Sequence, residues 1–368
     1  MGRADGRDGR DGHVSMADVA VRAGVSTATV SRSLRGSRVA PETRERVLRA
    51  AEELQYVPSP AASQLASGRT RSVGVVVPFA ARWFFSEVIS GVESITRPAG
   101  LDLLLYDIGN PTSRDRFFEV LPLRRRVDAA LVVATSLTQA QQDQLRGLGV
   151  PLCVLGSRVD GFPSVRIDDV RAGAVAARHL VGLGHRRLAM ITGDPADPVG
   201  RATTAQRRAG FVGVLEEFGL DASLVVSEDW GSAGGARAME RLLGETVPPT
   251  GVFAESDEMA LGALRTLRAA GLPVPGRVSV VGIDDHELAA AVELTTVAQP
   301  AREQGAAAAR ALLDTLAGSG STEDLVLPTR LVVRRSTAPP PEPVAGVWLA
   351  QPAQPARQVP GSSPPSRQ

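Results

Sequence analysis

From Val73 onward the chain repeats one grammar. Short, mostly apolar runs at residues 73–77, 103–106, 129–133, 152–155, 188–191, 251–253 and 278–282 alternate with stretches of helical period such as 172–183, 207–218 and 259–270. A strand with one face in water alternates apolar and polar residues, whereas a strand covered on both faces reads as an unbroken apolar run. The pattern therefore predicts parallel βαβ units with helices on both sides of the sheet. Residues 73–337 exceed what one doubly wound domain of roughly 150 residues holds, so the expectation is two lobes. The first covers about 73–167 and 299–328, the second about 168–298 and 329–337. No strand is followed by G-x-G-x-x-G and no P-loop occurs; Gly182-Leu183-Gly184 runs into His185 late in a helix. Nucleotide-cofactor chemistry has no support, and no cofactor is expected.

Residues 15–54 follow a different period. Met16, Val19, Ala20 and Ala23 fall at i, i+3, i+4 and i+7, one face of a short helix. Gly24 breaks it, Val25 plugs the turn, and Ser26 is placed to N-cap a second helix whose apolar side is Val30 and Leu34. Pro41 suits the first turn of a third helix carrying Val47, Leu48, Ala51 and Leu54. Two short helices joined at a glycine turn and braced by a third make a helix-turn-helix. Charge agrees: residues 15–72 hold nine Arg against five acids, although the whole chain carries only +1. A basic head on a neutral body fits phosphate contact by the head. The outward face of the second helix presents Thr27, Ala28, Ser31 and Arg32, short enough near its start to enter a major groove. Arg32 suits guanine, and Ser26 or Thr29 suits phosphate. The alternative for this segment is a three-helix module that binds protein.

Residues 1–14 are an arm rich in Gly, Arg and Asp, and residues 338–368 hold nine prolines in 31 residues; both are expected to be disordered. No apolar run approaches the roughly 20 residues of a membrane span, and the N-terminus lacks the apolar core of a secretory signal. A cytoplasmic protein without membrane contact is expected. The one cysteine, Cys153, excludes an intrachain disulfide. His179 and His185, six apart, do not share a helix face with a third ligand, so no metal is expected. The acid pairs Asp168-Asp169 and Asp284-Asp285 come with no nucleophile motif, and catalysis is not expected.

The stretch from Asp18 to Arg32 resembles the DNA-binding headpiece of the lactose-repressor (LacI) family. The likeness continues through Thr43-Arg44-Glu45-Arg46-Val47 and Glu53-Leu54-Gln55-Tyr56-Val57-Pro58. It implies a helix-turn-helix domain over 15–58 and a hinge helix over 59–72. In the hinge, Ala62 belongs to the DNA contact and Leu65 matches the leucine that wedges into the minor groove. Ser59-Pro60 and Ala40 depart from the usual pattern, and Ala40 removes a capping hydroxyl. In the large module, Gly74-Val75-Val76-Val77-Pro78, Gly184-His185-Arg186-Arg187, Arg207-Arg208-Ala209-Gly210-Phe211, Asp257-Glu258-Met259-Ala260-Leu261-Gly262 and Val281-Gly282-Ile283-Asp284-Asp285 resemble the family's effector domain, itself similar to periplasmic sugar-binding proteins.

The resemblance implies a sugar-like or nucleoside-like effector between the lobes. Arg207 and Asp284 match opposing ligand contacts, Trp230 matches a stacking aromatic, and Ser256 stands where an Asn is common. Phe79 stands where an Asp is usual and Arg82-Trp83 where Asn-Pro is usual, which makes one wall aromatic and cationic and points to a less hydroxyl-rich or an anionic ligand, although Phe79 and Trp83 also fit core or interlobe packing. A structural salt bridge for Arg207, and a capping or hinge role for Asp284, remain alternatives. The expected protein is a homodimeric, ligand-controlled transcription regulator and repressor of operator DNA. The competing readings are a solute-binding protein of a transport system and a sugar-modifying enzyme.

Overall fold

The computed structural model describes residues 14–34, 39–56, 68–197, 200–320 and 323–342, in two units that divide after Thr70. The first unit holds α1 (Met16–Ala23), α2 (Thr27–Leu34) and α3 (Pro41–Glu53). Val19, Ala20, Ala23, Val30, Val47, Ala50 and Ala51 form its core, with Val25 packed against them. Four of these seven are alanines, so the helices approach closely and the domain has little side-chain bulk to fill. Gly24 ends α1 in the left-handed region, at φ 65°. The missing cap at Ala40 is visible: α3 starts with no side-chain hydrogen bond to its first amides.

The second unit runs β1 (Ser72–Val77), α4 (Trp83–Thr96), β2 (Asp102–Asp107), α5 (Pro111–Val120), β3 (Ala129–Val133), α6 (Gln139–Arg146), β4 (Leu152–Leu155) and β5 (Ser164–Ile167). It continues through α7 (Asp169–Gly182), β6 (Leu188–Gly193), α8 (Arg201–Glu217), β7 (Val225–Glu228), α9 (Ser232–Leu243), β8 (Gly251–Ala254), α10 (Asp257–Ala269) and β9 (Ser279–Asp284). Last come α11 (Glu287–Ala291), β10 (Thr295–Ala298), α12 (Ala301–Leu316), β11 (Asp324–Leu327) and β12 (Arg330–Val332).

Two six-stranded sheets result, ordered β11-β5-β4-β3-β1-β2 and β12-β10-β9-β8-β6-β7. Every pairing is parallel except β10 with β12. Alternation sends Val73, Val75 and Val77 to one face, with Phe85 and Val88 of α4 and Ala308 of α12. Val76 goes to the other face, with Phe117 of α5 and Leu145 of α6. The chain passes between the sheets three times: after β5, after β10, and between β11 and β12.

Two details differ from expectation. The apolar run at 103–106 belongs to β2, an edge strand with Leu105 46% exposed, not an interior one. The proline-rich tail was expected to begin at Ala338, yet that residue is held. Its carbonyl lies 2.9 Å from His185 Nε2 and accepts from Ser279 Oγ at 3.0 Å, and its amide donates to Ser279 Oγ at 3.1 Å. Composition reports side chains, whereas here the backbone does the holding. Among the described residues no helix is long and apolar enough to cross a membrane, and no cluster of potential metal ligands occurs.

Candidate DNA-reading helix and interlobe ligand cleft

In the headpiece, Ser15 and Asp18 form a reciprocal capping box at the start of α1. Ser26 caps α2, accepting from the Thr29 amide at 3.2 Å, and its hydroxyl lies 3.0 Å from that of Thr29. The cap fixes where α2 begins and therefore which residues face out. Thr27, Ala28 and Arg32 are exposed, Ser31 is half-buried beside them, and Val30 faces inward. Arg32 lies along the helix, its Nε donating to the Ala28 carbonyl at 3.3 Å. Thr29 is half-buried on the flank with Ser26. The arrangement is a short polar surface ending in one guanidinium, backed by an apolar seam. Ala62 and Leu65 lie outside the described residues.

In the second unit, one cavity is lined by Phe79 and Trp83 from the first lobe and by Arg207, Trp230, Ser256 and Asp284 from the second. Each second-lobe residue sits at or just after the carboxyl end of a strand or on the helix that follows, where an open α/β sheet places ligands. Asp284 ends β9 at φ 130° and Asp285 follows at φ 60°. Two adjacent non-glycine residues at positive φ are costly. The turn they make separates the pair: Asp284 lines the cavity, while Asp285 accepts from Arg334 at 2.6 Å.

Arg207 is buried, its Nε 2.8 Å from Asp169 and its Nη1 on the Glu255 carbonyl. The salt-bridge alternative and the cavity position thus hold together for one side chain. Asp169 is the first residue of α7, and α7 approaches α8 through facing glycines. A Cβ on Gly173 would collide with the Arg207 carbonyl, and one on Gly210 with that of Val170. Small residues there bring the two helices close enough for the Arg207 side chain to meet Asp169.

Three buried carboxyls, Asp169, Asp284 and Glu255, act on this guanidinium. Burial would lower the Arg207 pKa, but Asp169, Asp284 and Glu255 reverse that and raise it. Burial pushes the Asp284 carboxyl up to about 7, against the opposing pull of Arg207 and the Gln299 amide, which donates at 2.7 Å. Burial, and then the charge of Asp284, raises Asp257 well above the usual carboxylate range. Glu255 is raised by burial, although Thr192, Gly193 and Thr204 all donate to it.

The other cavity residues divide between packing and polar work. Ser256 caps α10 by accepting from Met259 N at 3.2 Å, leaving its proton available. Trp230 covers Gly193 and Gly200, and its buried indole N–H has no hydrogen-bond partner. Trp83 packs on His286 of the other lobe, ring centroids 5.2 Å apart, so it bridges the lobes as well as lining the cavity. Phe79 meets Phe85 edge-on, and the Arg82 guanidinium lies 3.9 Å above its ring.

Arg82, expected to make this wall cationic but not singled out as a ligand contact, lines the cavity. It donates across the cleft to the Trp230 carbonyl at 3.1 Å. The cavity has a volume of about 80 Å³. Asp169, Gln299 and Gln304 were missed. Gln304 donates to Gln299 at 2.9 Å and Gln299 to Asp284, a chain of side chains from α12 in one lobe to β9 in the other. A polar Gln directly after the apolar end of β10 was the available signal for Gln299.

The profile described as "Bacterial regulatory proteins, lacI family" matches residues 15–59, and a periplasmic binding protein-like domain matches 177–337. The catabolite control protein A of Priestia megaterium is 32% identical over 88% of this chain and 99% of its own. The HTH-type transcriptional repressor CytR of Escherichia coli is 34% identical over 88% and 96%. This chain belongs to the lacI family. Among solved structures, a Lac repressor dimer bound to operator and the anti-inducer ONPF superposes with a TM-score of 0.79 at 28% identity, covering 89% of this chain and 99% of that one. A transcriptional regulator CelR–cellobiose complex is 35% identical, with a TM-score of 0.65 over 88% and 100%. As a lacI-family member the chain is a DNA-binding transcription regulator with a ligand-binding effector module, and not an enzyme. That removes both the transport and the sugar-modifying readings.

Proposed function

We propose that this lacI-family regulator reads operator DNA with α2 and is switched by a small ligand held between its lobes. Thr27, Ala28, Ser31 and Arg32 meet base edges, and the Ser26 and Thr29 hydroxyls meet phosphates. Residues 59–72 form the hinge, in which Ala62 and Leu65 enter the minor groove. A cytoplasmic homodimer places one headpiece on each half of a near-palindromic site. The effector is a sugar-like or nucleoside-like molecule: Trp230 offers a ring face and a spare N–H, while Arg207, Asp284 and Ser256 offer groups for its hydroxyls. The CelR complex, in which a relative holds cellobiose, supports a carbohydrate-sized ligand.

The observation that carries this reading is the cavity itself, which joins the arginine, the carboxylates and the tryptophan of one lobe to the aromatic wall of the other. Arg82 and the Gln304–Gln299–Asp284 chain span the same gap, so a ligand that enters must displace Arg82 and part the lobes. A coupling of about 1–3 kcal/mol would change operator affinity five- to 150-fold. Gel-shift titration of promoter fragments against random duplex, across salt, tests the DNA half. Arg32→Ala should cost about 1–3 kcal/mol of operator affinity and relax one base preference; unchanged selectivity would remove α2 from the reading role. A thermal-shift screen of sugars and nucleosides tests the ligand half.

A further inference from the structure

A second crevice opens beside the cleft, lined by the starts of α5 and α6 from the first lobe and of α8 from the second, with a volume of about 400 Å³. Asn110 caps α5 and Thr138 caps α6 through their side chains. The cap of α8 is Gly200, which supplies no side-chain acceptor for the first amides of that helix. Helix starts concentrate positive potential and N–H donors.

An independent observation concerns Arg114, on α5. It is only 7% exposed and lines this crevice. Its Nη2 donates to the Ser136 carbonyl and to Gln141 Oε1, but its buried Nη1 has no hydrogen-bond partner. A buried, charged donor left without an acceptor is rare in folded proteins. Arg201, the first residue of α8, adds a second guanidinium at the same wall. Asp115 and Asp197 also line the crevice. The site is therefore not a simple positive patch, and both carboxylates act on the Arg114 charge.

We infer that this crevice seats a phosphate or carboxylate group, carried by a hydroxyl-bearing effector or present as the free anion. Two anionic oxygens complete the Arg114 fork and share the Arg201 guanidinium with the Ala196 carbonyl, to which it donates at 2.9 Å. Hydroxyls on the attached body donate to Asp197 and Asp115. The inference rests on the reading of the adjoining cleft as the effector site and adds an anionic group to the ligand class.

The test uses the full-length chain, with sodium phosphate against sodium chloride at equal ionic strength, and ribose 5-phosphate against ribose, in calorimetric and thermal-shift titrations. The expected result is a phosphate-dependent rise in Tm, or binding of ribose 5-phosphate about tenfold or more tighter than ribose, as charge-assisted hydrogen bonds provide. A response to inorganic phosphate identifies the free anion as sufficient, and a response to the ester alone identifies an anion carried on a sugar. Arg114→Gln should abolish the advantage. Because Arg114 also supports the Ser136 loop, Arg201→Gln serves as the surface variant and should weaken it about threefold or more. If phosphate matches chloride and the ester matches ribose, or if the advantage survives both substitutions, the inference falls. Operator binding in the gel shift stands or falls separately, which distinguishes this failure from failure of the regulator reading.

Discussion

At the scale of single residues, the centre of this protein is a crowded charge balance. Three buried carboxyls share one buried guanidinium, and burial lifts Asp284 to about 7. An acid whose pKa is raised by folding binds its proton more tightly in the folded state. Its contribution to stability therefore declines as pH climbs from the ordinary carboxylate range near 4 toward about 7, and levels off above. Asp284→Asn should flatten that part of the stability profile, measured by urea unfolding at several pH values; a variant with the slope of the parent would assign the dependence elsewhere. Individual roles were only partly legible in sequence. The residues of the cavity were found by resemblance, but Asp169 looked like half of a pair of strand-end acids. Its partner, Arg207, lies 38 residues away, a distance over which no local spacing rule operates. Ser256 shows the reverse case: its capping role follows from its place before a helix, independent of any ligand.

At the scale of elements, strands declared themselves where both faces are covered and hid where they are not. β7 and β11 are edge strands, mostly half-buried or exposed, and their apolar runs are short, 224–226 and 325–327, with polar residues completing each strand. β10 is fully buried yet polar, because Thr296 donates to Asp257 at 2.7 Å and the Thr295 hydroxyl accepts from the Arg334 amide at 2.9 Å. A buried hydroxyl with a partner costs little, so hydrophobicity alone misses such a strand. The headpiece was more readable, since caps and glycine turns are local. Helix pairing in the effector module depends on close approach instead. Gly173→Ala should separate α7 from α8, destabilise the module by about 1–3 kcal/mol and weaken effector binding by moving Arg207. Denaturant unfolding together with ligand titration would check both effects, and a fully stable variant would show that the helices can shift freely.

At the scale of the whole molecule, the effector module is closed by its last described segment. Ser336 Oγ donates to the Val280 carbonyl, and His179 and His185 lie within hydrogen-bond distance of Thr337 and Ala338, so residues beyond β12 lace onto the second lobe. Truncation after Thr337 should remove the Ala338 contacts, cost about 1–3 kcal/mol and lower Tm by several degrees. Truncation after Glu342 should leave Tm unchanged. Equal melting of the two shortened chains would show that Ala338 carries no weight.

The three passages between the sheets have a further meaning during synthesis. The second lobe is nearly continuous, from α7 to β10, and lacks only the short antiparallel β12 and the residues up to Ala338 that follow it when residue 298 has left the ribosome. The first lobe begins earlier but cannot finish. Its sheet awaits β11, and the apolar side of α4, with Phe85 and Val88, awaits α12. Within the effector module, the part made first is thus completed last, and until then it exposes the kind of surface that nascent chains aggregate through.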